Sequence, residues 1–475
     1  MSRSPKLNWS HVFIAITLFA ILLLGSGCSD QKKASKTKTA RPEVTLKILA
    51  VDSPSLVNSA ARLWSAEGQG GMEITEISLK EFSADEFEIA SQYDVVVYPC
   101  SLMAELVAND QLIELPMIDL EGEVLDRNEL LPHQRKKLLY YGSKVWLIPL
   151  GSPQLMLMYD KSTFTELALS PPETWSEFEA VAETLKTSDK RITLPLQDDW
   201  AAELFLSRVA SSIRAQGKLS TVFDTQTMQP LVATEPFVKA LKSLQTVGNL
   251  EDCKTDPATA FRSMADGSSA MGITWPSKNF FAADQLEEIE ANENLALARL
   301  PGSQQWFNQS KSNWETRDER SAIQVDVVGG TGRCASVCKG SQHGRTAMDF
   351  ACWLGSKSTS STVSIESANV SIFRSTHLGQ PLRWTGPALS YEAADQFGDI
   401  VSEISESKLV LQFPRISGQS EYMSVLADAV RKSVEQKADA TECLSEVAEK
   451  WEAITKRYGR DEQQKQLRRS LGYLN

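Results

Sequence analysis

The stretch PLQDDWAAELF (195–205) sets two carboxylates, Asp198 and Asp199, beside an indole, Trp200, at the start of a helix-forming run. An aromatic face next to hydroxyl acceptors suits a polyhydroxylated molecule, whose ring faces are weakly apolar and whose edges are polar. The plainer reading is that the two acids cap the helix. Bond-making chemistry finds less support. There is no GxSxG, HExxH or phosphate loop, the histidines are scattered, and paired acids in so acidic a chain do not establish a catalytic gap. Cys334 and Cys338 in GRCASVCKG lack two-residue redox spacing, and no histidine or second cysteine pair stands by to complete a metal site. A sharp turn would let these two form a disulfide. No catalytic residue, cofactor or metal is expected, and the chain reads as a binding protein rather than an enzyme.

The chemistry of the N-terminus is of another kind. Arg3 and Lys6 precede an apolar run from Val12 to Leu24, then Gly25, Ser26, Gly27 and Cys28. The run is shorter than the roughly 20 residues that span a bilayer, so a cleaved signal is expected. The stretch resembles a bacterial lipoprotein signal (1–28) in which Cys28 becomes lipidated, although Gly25 stands where that pattern has leucine. An ordinary secretory signal and an uncleaved anchor are the competing readings, and all three put residues 43–475 outside the cytoplasm. Residues 29–42, SDQKKASKTKTARP, hold almost nothing that can be buried and read as a flexible tether. The formal charge of -12 argues against nucleic acid as a partner.

The elements that must position any site alternate. VTLKILAV (44–51), MEITEISL (72–79) and YDVVVYP (93–99) are strand candidates interleaved with helical stretches, which predicts a largely parallel, helix-covered sheet. SKVWLIPLGSPQLMLMYDKSTF (143–164) holds two extended runs broken at Gly151–Pro153, which suits a passage between lobes or a bend between strands. Thr174 and Glu177 have capping-box spacing ahead of a helix whose apolar face is Phe178, Val181, Ala182 and Leu185. AMGITWP (270–276) reads as a buried strand, residues 285–320 as a short helix and then irregular or edge structure, and VDVVGGTGRCASVCKG (325–340) as a strand entering a glycine turn. The C-terminal region is helical, with Cys443, Val447, Trp451 and Ile454 on one face.

Four segments, in order, resemble the sugar-binding class (family 1 type) of bacterial extracellular solute-binding proteins of ABC importers. They are YDVVVYPCSLMAELVANDQLIELP (93–116), KVWLIPLGSPQLMLMYDKSTFTELALSPPETWSEF (144–178), AFRSMADGSSAMGITWP (260–276) and GGTGRCASVCKGSQHGRTAMDFACWL (329–354). The resemblance implies an α/β, two-lobed periplasmic-binding-protein fold with an interlobe hinge and ligand cleft. Lobe 1 would comprise 43–151 with 325–384, and lobe 2 would comprise 152–324 with 385–475. It implies extracytoplasmic capture of a small solute, expected to be a mono- or oligosaccharide, by a monomer that delivers it to ABC permease subunits from a membrane held through Cys28. A ligand-sensing or scaffold lipoprotein of the same fold is the alternative reading, and an extracellular glycan-active enzyme a more distant one.

On this pattern the ligand candidates are Trp275 at a cleft-facing strand end, Trp200 with Asp198 and Asp199, Arg333 after the glycine turn, and Trp384 near a later crossing. Gln154 at the first crossing, and Ser53 and Ser101 after lobe 1 strands, complete the set. Each has a bland counterpart: lobe packing for the tryptophans, a helix cap for the acids and a surface salt bridge for Arg333.

Overall fold

The computed structural model describes residues 44–82, 89–214, 222–317, 323–328 and 330–472; the apolar leader, Cys28 and the 29–42 tether lie outside them. Two sheets form the framework. Their strands are β1 (Thr45–Val51), β2 (Gly71–Ile77), β3 (Val95–Pro99), β4 (Ile148–Pro149), β5 (Met156–Asp160), β6 (Ile192–Thr193), β7 (Met271–Thr274), β8 (Leu295–Ala298) and β9 (Arg333–Val337). The first sheet has the order β2-β1-β3-β9-β4 and the second β8-β5-β7-β6.

β3 shows why the first sheet is interior. All five of its residues are buried, with Val95 and Val97 in one apolar cluster and Val96 and Tyr98 in the cluster on the opposite face. A strand covered on both faces must be apolar throughout, as VVVYP is. The helices α1 (Pro54–Ala66) and α2 (Gly344–Leu354) close one face through Trp64 and Phe350, whose rings meet edge-on at 5.2 Å. β1 pairs in parallel with β2 and β3, but β9 runs antiparallel to β3 and β4. The sheet is therefore mixed, because its last-arriving strand re-enters after an excursion through the second lobe.

The second lobe is the larger. The helix Trp175–Thr187 starts at the expected capping box: Thr174 Oγ1 accepts from Glu177 N at 3.1 Å, and Glu177 Oε2 accepts from Thr174 N at 3.0 Å. Its buried face is Trp175, Phe178, Val181, Ala182 and Leu185. It packs with α3 (Trp200–Ile213) and α4 (Glu235–Val247), and the C-terminal helices α5 (Gln419–Gln436) and α6 (Ala440–Tyr458) lie against these. The 285–320 region resolves into a short helix, Ala283–Glu288, and a hairpin of Gln305–Asn308 with Asn313–Thr316.

The chain passes between lobes at three adjacent places. Gly151 has φ 101°, and a Cβ there would lie 2.5 Å from Ser371 O; one on Gly332 would lie 2.6 Å from Gly151 O. The three passages thus touch backbone to backbone, with no room for a side chain. Ile365, Val370, Ile372, Phe373 and Trp384 pack in the same large apolar cluster as Leu131, Phe205 and Trp275. Two buried arginines bind the passages and the lobes together. Arg374 donates to Gly355 O and Leu125 O, both at 2.8 Å, and Arg415 donates to Leu138 O at 2.8 Å and to Lys137 O at 3.2 Å.

Cys334 and Cys338 are separate, buried free thiols. Cys334 lies in extended β9, where four residues of strand span about 13 Å, far beyond the Cα separation of a disulfide. Cys443 is buried with Val447, Trp451 and Ile454 on the predicted face of α6.

Candidate functional site

The carboxyl ends of β1 and β3, the amino end of β9 and the first lobe crossing converge. Asp52, directly after β1, has φ 44°, an uncommon left-handed backbone for a non-glycine residue. Its carboxylate accepts from Leu79 N at 2.9 Å, and its carbonyl accepts from Arg333 Nη2 at 2.9 Å and Nε at 3.2 Å. Arg333 Nη1 donates to Thr331 O at 2.7 Å. Arg333 is buried, and burial pulls its guanidinium pKa down against the opposing pull of Asp52. It therefore clamps two backbone turns, and three of its five N–H groups are already committed. Ser53 is buried, its hydroxyl donating to Val51 O at 2.8 Å, and Ser101 is half-buried in the turn after β3. Cys100 N donates to Gly332 O at 2.9 Å, which brings that turn to the same place.

Gln154 is 2% exposed, and neither its Nε2 nor its Oε1 has a partner among the described residues. Leaving a buried amide unpaired costs on the order of 1–3 kcal/mol, so this side chain has unused capacity to donate and to accept. Across the crossing stands Glu203, on the first turn of α3 and 7% exposed, with Oε2 unpartnered among the described residues and 3.1 Å from where a Cβ on Gly330 would be. Burial raises its carboxyl to about 7. Near neutral pH it can accept or donate. Sequence reasoning missed Glu203; the available signal was an acid set inside the apolar run AAELFLSRVA.

One turn earlier on α3, the half-buried Trp200 lies against Trp275, ring centroids 4.7 Å apart at 44°. Trp275, at the end of β7, is 2% exposed and donates its indole N–H to Ala368 O at 3.2 Å. Trp275 is thus a backing wall, and Trp200 offers the reachable face of the pair. Asp199 stands at the N-cap position of α3 without a side-chain capping bond. Its carboxyl is raised by desolvation and by Asp198, while Arg431 and, from the other lobe, Lys80 pull it down. Asp198 has φ 50°, and Arg431 Nη1 donates to its carbonyl at 2.6 Å. Trp384 is placed elsewhere in the contacts it makes: it is buried against His377, 4.9 Å between centroids, and His377 against Phe373.

Arg333, Asp52 and Ser53 thus adjoin at the end of β1, Glu203 faces Gly330, Trp200 pairs with Trp275, and Gln154 follows the first crossing. Among the described residues, no group of three or more His, Cys, Asp or Glu side chains could hold a metal ion, and no helix is long and apolar enough to cross a membrane. The arrangement offers an aromatic face, an amide and a switchable carboxyl; these are means of recognition.

Comparison with known proteins bears on this geometry. The family model described as "Bacterial extracellular solute-binding protein" matches residues 89–370, more than half of the chain. Among solved structures, the chain is similar to an ABC transporter solute-binding protein from Agrobacterium radiobacter K84 in complex with ribitol, at 16% identity over 86% of this chain and 98% of that one, TM-score 0.66. It is also similar to maltose-bound MalE3 of T. maritima (14% identity, 86% and 99% covered, TM-score 0.63). The sugar-binding protein MalE from Xanthomonas citri is a third (16%, 87% and 98%, TM-score 0.63). At these identities the likeness is one of fold. No curated protein matches the chain.

Proposed function

We propose a function from one premise: the chain belongs to the family of bacterial extracellular solute-binding proteins. It works outside the cytoplasm, capturing a small neutral carbohydrate or polyol at the lobe crossings and handing it to an ABC-type importer. The observation that carries the ligand class is the pairing of a reachable indole face, Trp200, with two buried polar groups that lack partners among the described residues, Gln154 and Glu203. Ring faces or carbon chains of a polyol take the indole, and its hydroxyls satisfy the amide and the carboxyl. The neighbours of like fold that were solved with ribitol and with maltose support the same class.

The mechanism follows from the crossings. Three chain passages link the lobes, so small backbone rotations there move one lobe against the other. A ligand touching Gln154 at the first crossing and Trp200 and Glu203 on lobe 2 favours the arrangement in which all contacts form together. Asp198, Asp199, Ser53, Ser101 and Arg333 shape this mouth, with Arg333 holding Asp52 in its strained turn. Lobe 1 comprises the segment up to residue 151 with the return segment from β9 through α2 to Val363, and lobe 2 comprises 152–328 with the chain after the third crossing. Cleavage before Cys28 and its lipidation tether a monomer to the membrane beside the permease.

Calorimetry and thermal shift of the purified protein with ribitol, mannitol, maltose and a panel of mono- and oligosaccharides test this. A ligand at about 100 times its Kd adds about 2.7 kcal/mol of apparent stability, and Trp200→Ala should abolish that shift. Stabilisation by metals or peptides alone, with every sugar and polyol silent, would end the carbohydrate reading.

A further inference from the structure

A cavity of about 440 Å³ lies away from the crossings. It lies wholly in lobe 2, between the start of the helix Trp175–Thr187, the far end of α3, α4 and the 305–316 hairpin. Its floor is Arg208, 4% exposed, whose guanidinium lies over the Trp175 ring at 4.7 Å. Arg208 Nη2 donates to Glu179, which also accepts from Ser243 Oγ; Arg208 Nε and Nη1 have no partner among the described residues. The indole N–H of Trp175, which lines the same cavity, is unpartnered as well. Opposite stands Lys239, its ammonium 4.5 Å from the centroid of Trp314 and in no ion pair among the described residues.

Every unsatisfied buried side-chain group of this cavity is a donor. The acids nearby are spoken for: Glu179 by Arg208 and Ser243, Glu177 by the backbone N–H groups of Glu173 and Thr174, and Glu235 by the indole N–H of Trp314 at 2.7 Å. Burial drags the Arg208 guanidinium down to about 10 even with Glu179 beside it, so the charge is under-compensated where it sits. Unmet donors on the floor, with the acids already engaged and a second cation on the wall, call for an acceptor-rich, negatively charged partner. The volume lies within the range of small-molecule sites and well beyond a bare ion.

We infer that this cavity is a second binding site, separate from the lobe crossings, for a small organic acid: its carboxylate takes Arg208 and Trp175, and its body lies along Trp314 and the alkyl stem of Lys239. A buried guanidinium forms charge-assisted bonds that a neutral isostere of the ligand cannot match. The same chain would then carry two unlike recognition chemistries, hydroxyls at the crossings and a carboxylate here.

Titration of the full chain with benzoate, against benzamide as its uncharged match and inorganic phosphate as a bare anion, tests the assignment, with calorimetry and tryptophan fluorescence as readouts. Benzoate should bind at least about tenfold more tightly than benzamide, and more tightly than phosphate. Trp175→Phe and Lys239→Gln should each weaken benzoate several-fold, whereas Trp200→Ala should leave it unchanged. Arg208→Gln should abolish benzoate binding; should that variant not fold, the other two carry the test. Equal binding of benzoate and benzamide, no benzoate binding, tighter phosphate binding, or loss of benzoate binding in Trp200→Ala would each overturn the inference. That last result alone would move the acid to the crossings and bear on the carbohydrate proposal too.

Discussion

Trp200 and Glu203 stand one helical turn apart on α3 and have different roles in the proposed site, so their substitutions separate. Trp200→Ala removes the aromatic face and should weaken binding of the cognate polyol or sugar by about tenfold or more, measured by calorimetry, with little loss of stability because the ring is only half-buried. An unchanged Kd would remove Trp200 from the site. Glu203 is a matter of pH. Its folded-state carboxyl sits near 7 against 4.5 in the open chain. The fold therefore favours the protonated form: that contribution is complete below about pH 4.5 and is lost as pH rises through 7. Glu203→Gln should flatten the fall in melting temperature between pH 5 and 8 and be the more stable protein at pH 8, by up to about 3 kcal/mol. Parallel pH profiles for the two proteins would rule this out. The contrast in legibility is physical. The place of an indole at a helix start or a strand end is legible from local pattern, as with Trp200 and Trp275, whose mutual contact is not. What Arg333 does depends on a carbonyl 281 residues away, Asp52 O, and no local pattern encodes that partner.

Elements were most legible where local chemistry decides them. The Thr174–Glu177 capping box and the Cys443–Trp451 face are short-range, and the structure shows both. The direction of β9 was not legible, because a strand's partners depend on the lobe the chain has just left. The placement of Phe373 and Trp384 was obscured for a like reason: their apolar character specifies burial without specifying which core. The glycines at the crossings make the sharpest element-scale prediction. Gly151→Ala combines a disfavoured φ with a Cβ 2.5 Å from Ser371 O, so it should cost about 1–3 kcal/mol or more and shift a neighbouring passage. Thermal melts measure the first effect, and altered ligand affinity without any change at Trp200 would report the second. A silent Gly151→Ala would mean that the passages are looser than their contacts imply.

At the scale of the molecule, a two-lobed binder should become more compact when its ligand bridges the lobes. Small-angle scattering with and without the identified sugar should show a reduced radius of gyration, and Trp200→Ala should not show it at the same concentration. An unchanged radius despite tight binding would assign recognition to a rigid crevice. Arg374 and Arg415 bear on the same motion, since both tie distant backbone carbonyls across the crossings. Arg415→Ala should destabilise by several kcal/mol through the carbonyls of Lys137, Leu138 and Tyr140 that it leaves unpaired. The position of β9 in the first sheet reaches beyond binding. Among the described residues, β4 is held in that sheet only by β9, which follows it after more than 180 residues, and β3 has no other neighbour on that side. Until residue 337 is made, the first sheet lacks the strand that joins β3 to β4, and it stays incomplete. For a chain exported as an open polypeptide, a closing strand synthesised roughly two-thirds of the way along postpones completion of the sheet until the membrane crossing is under way.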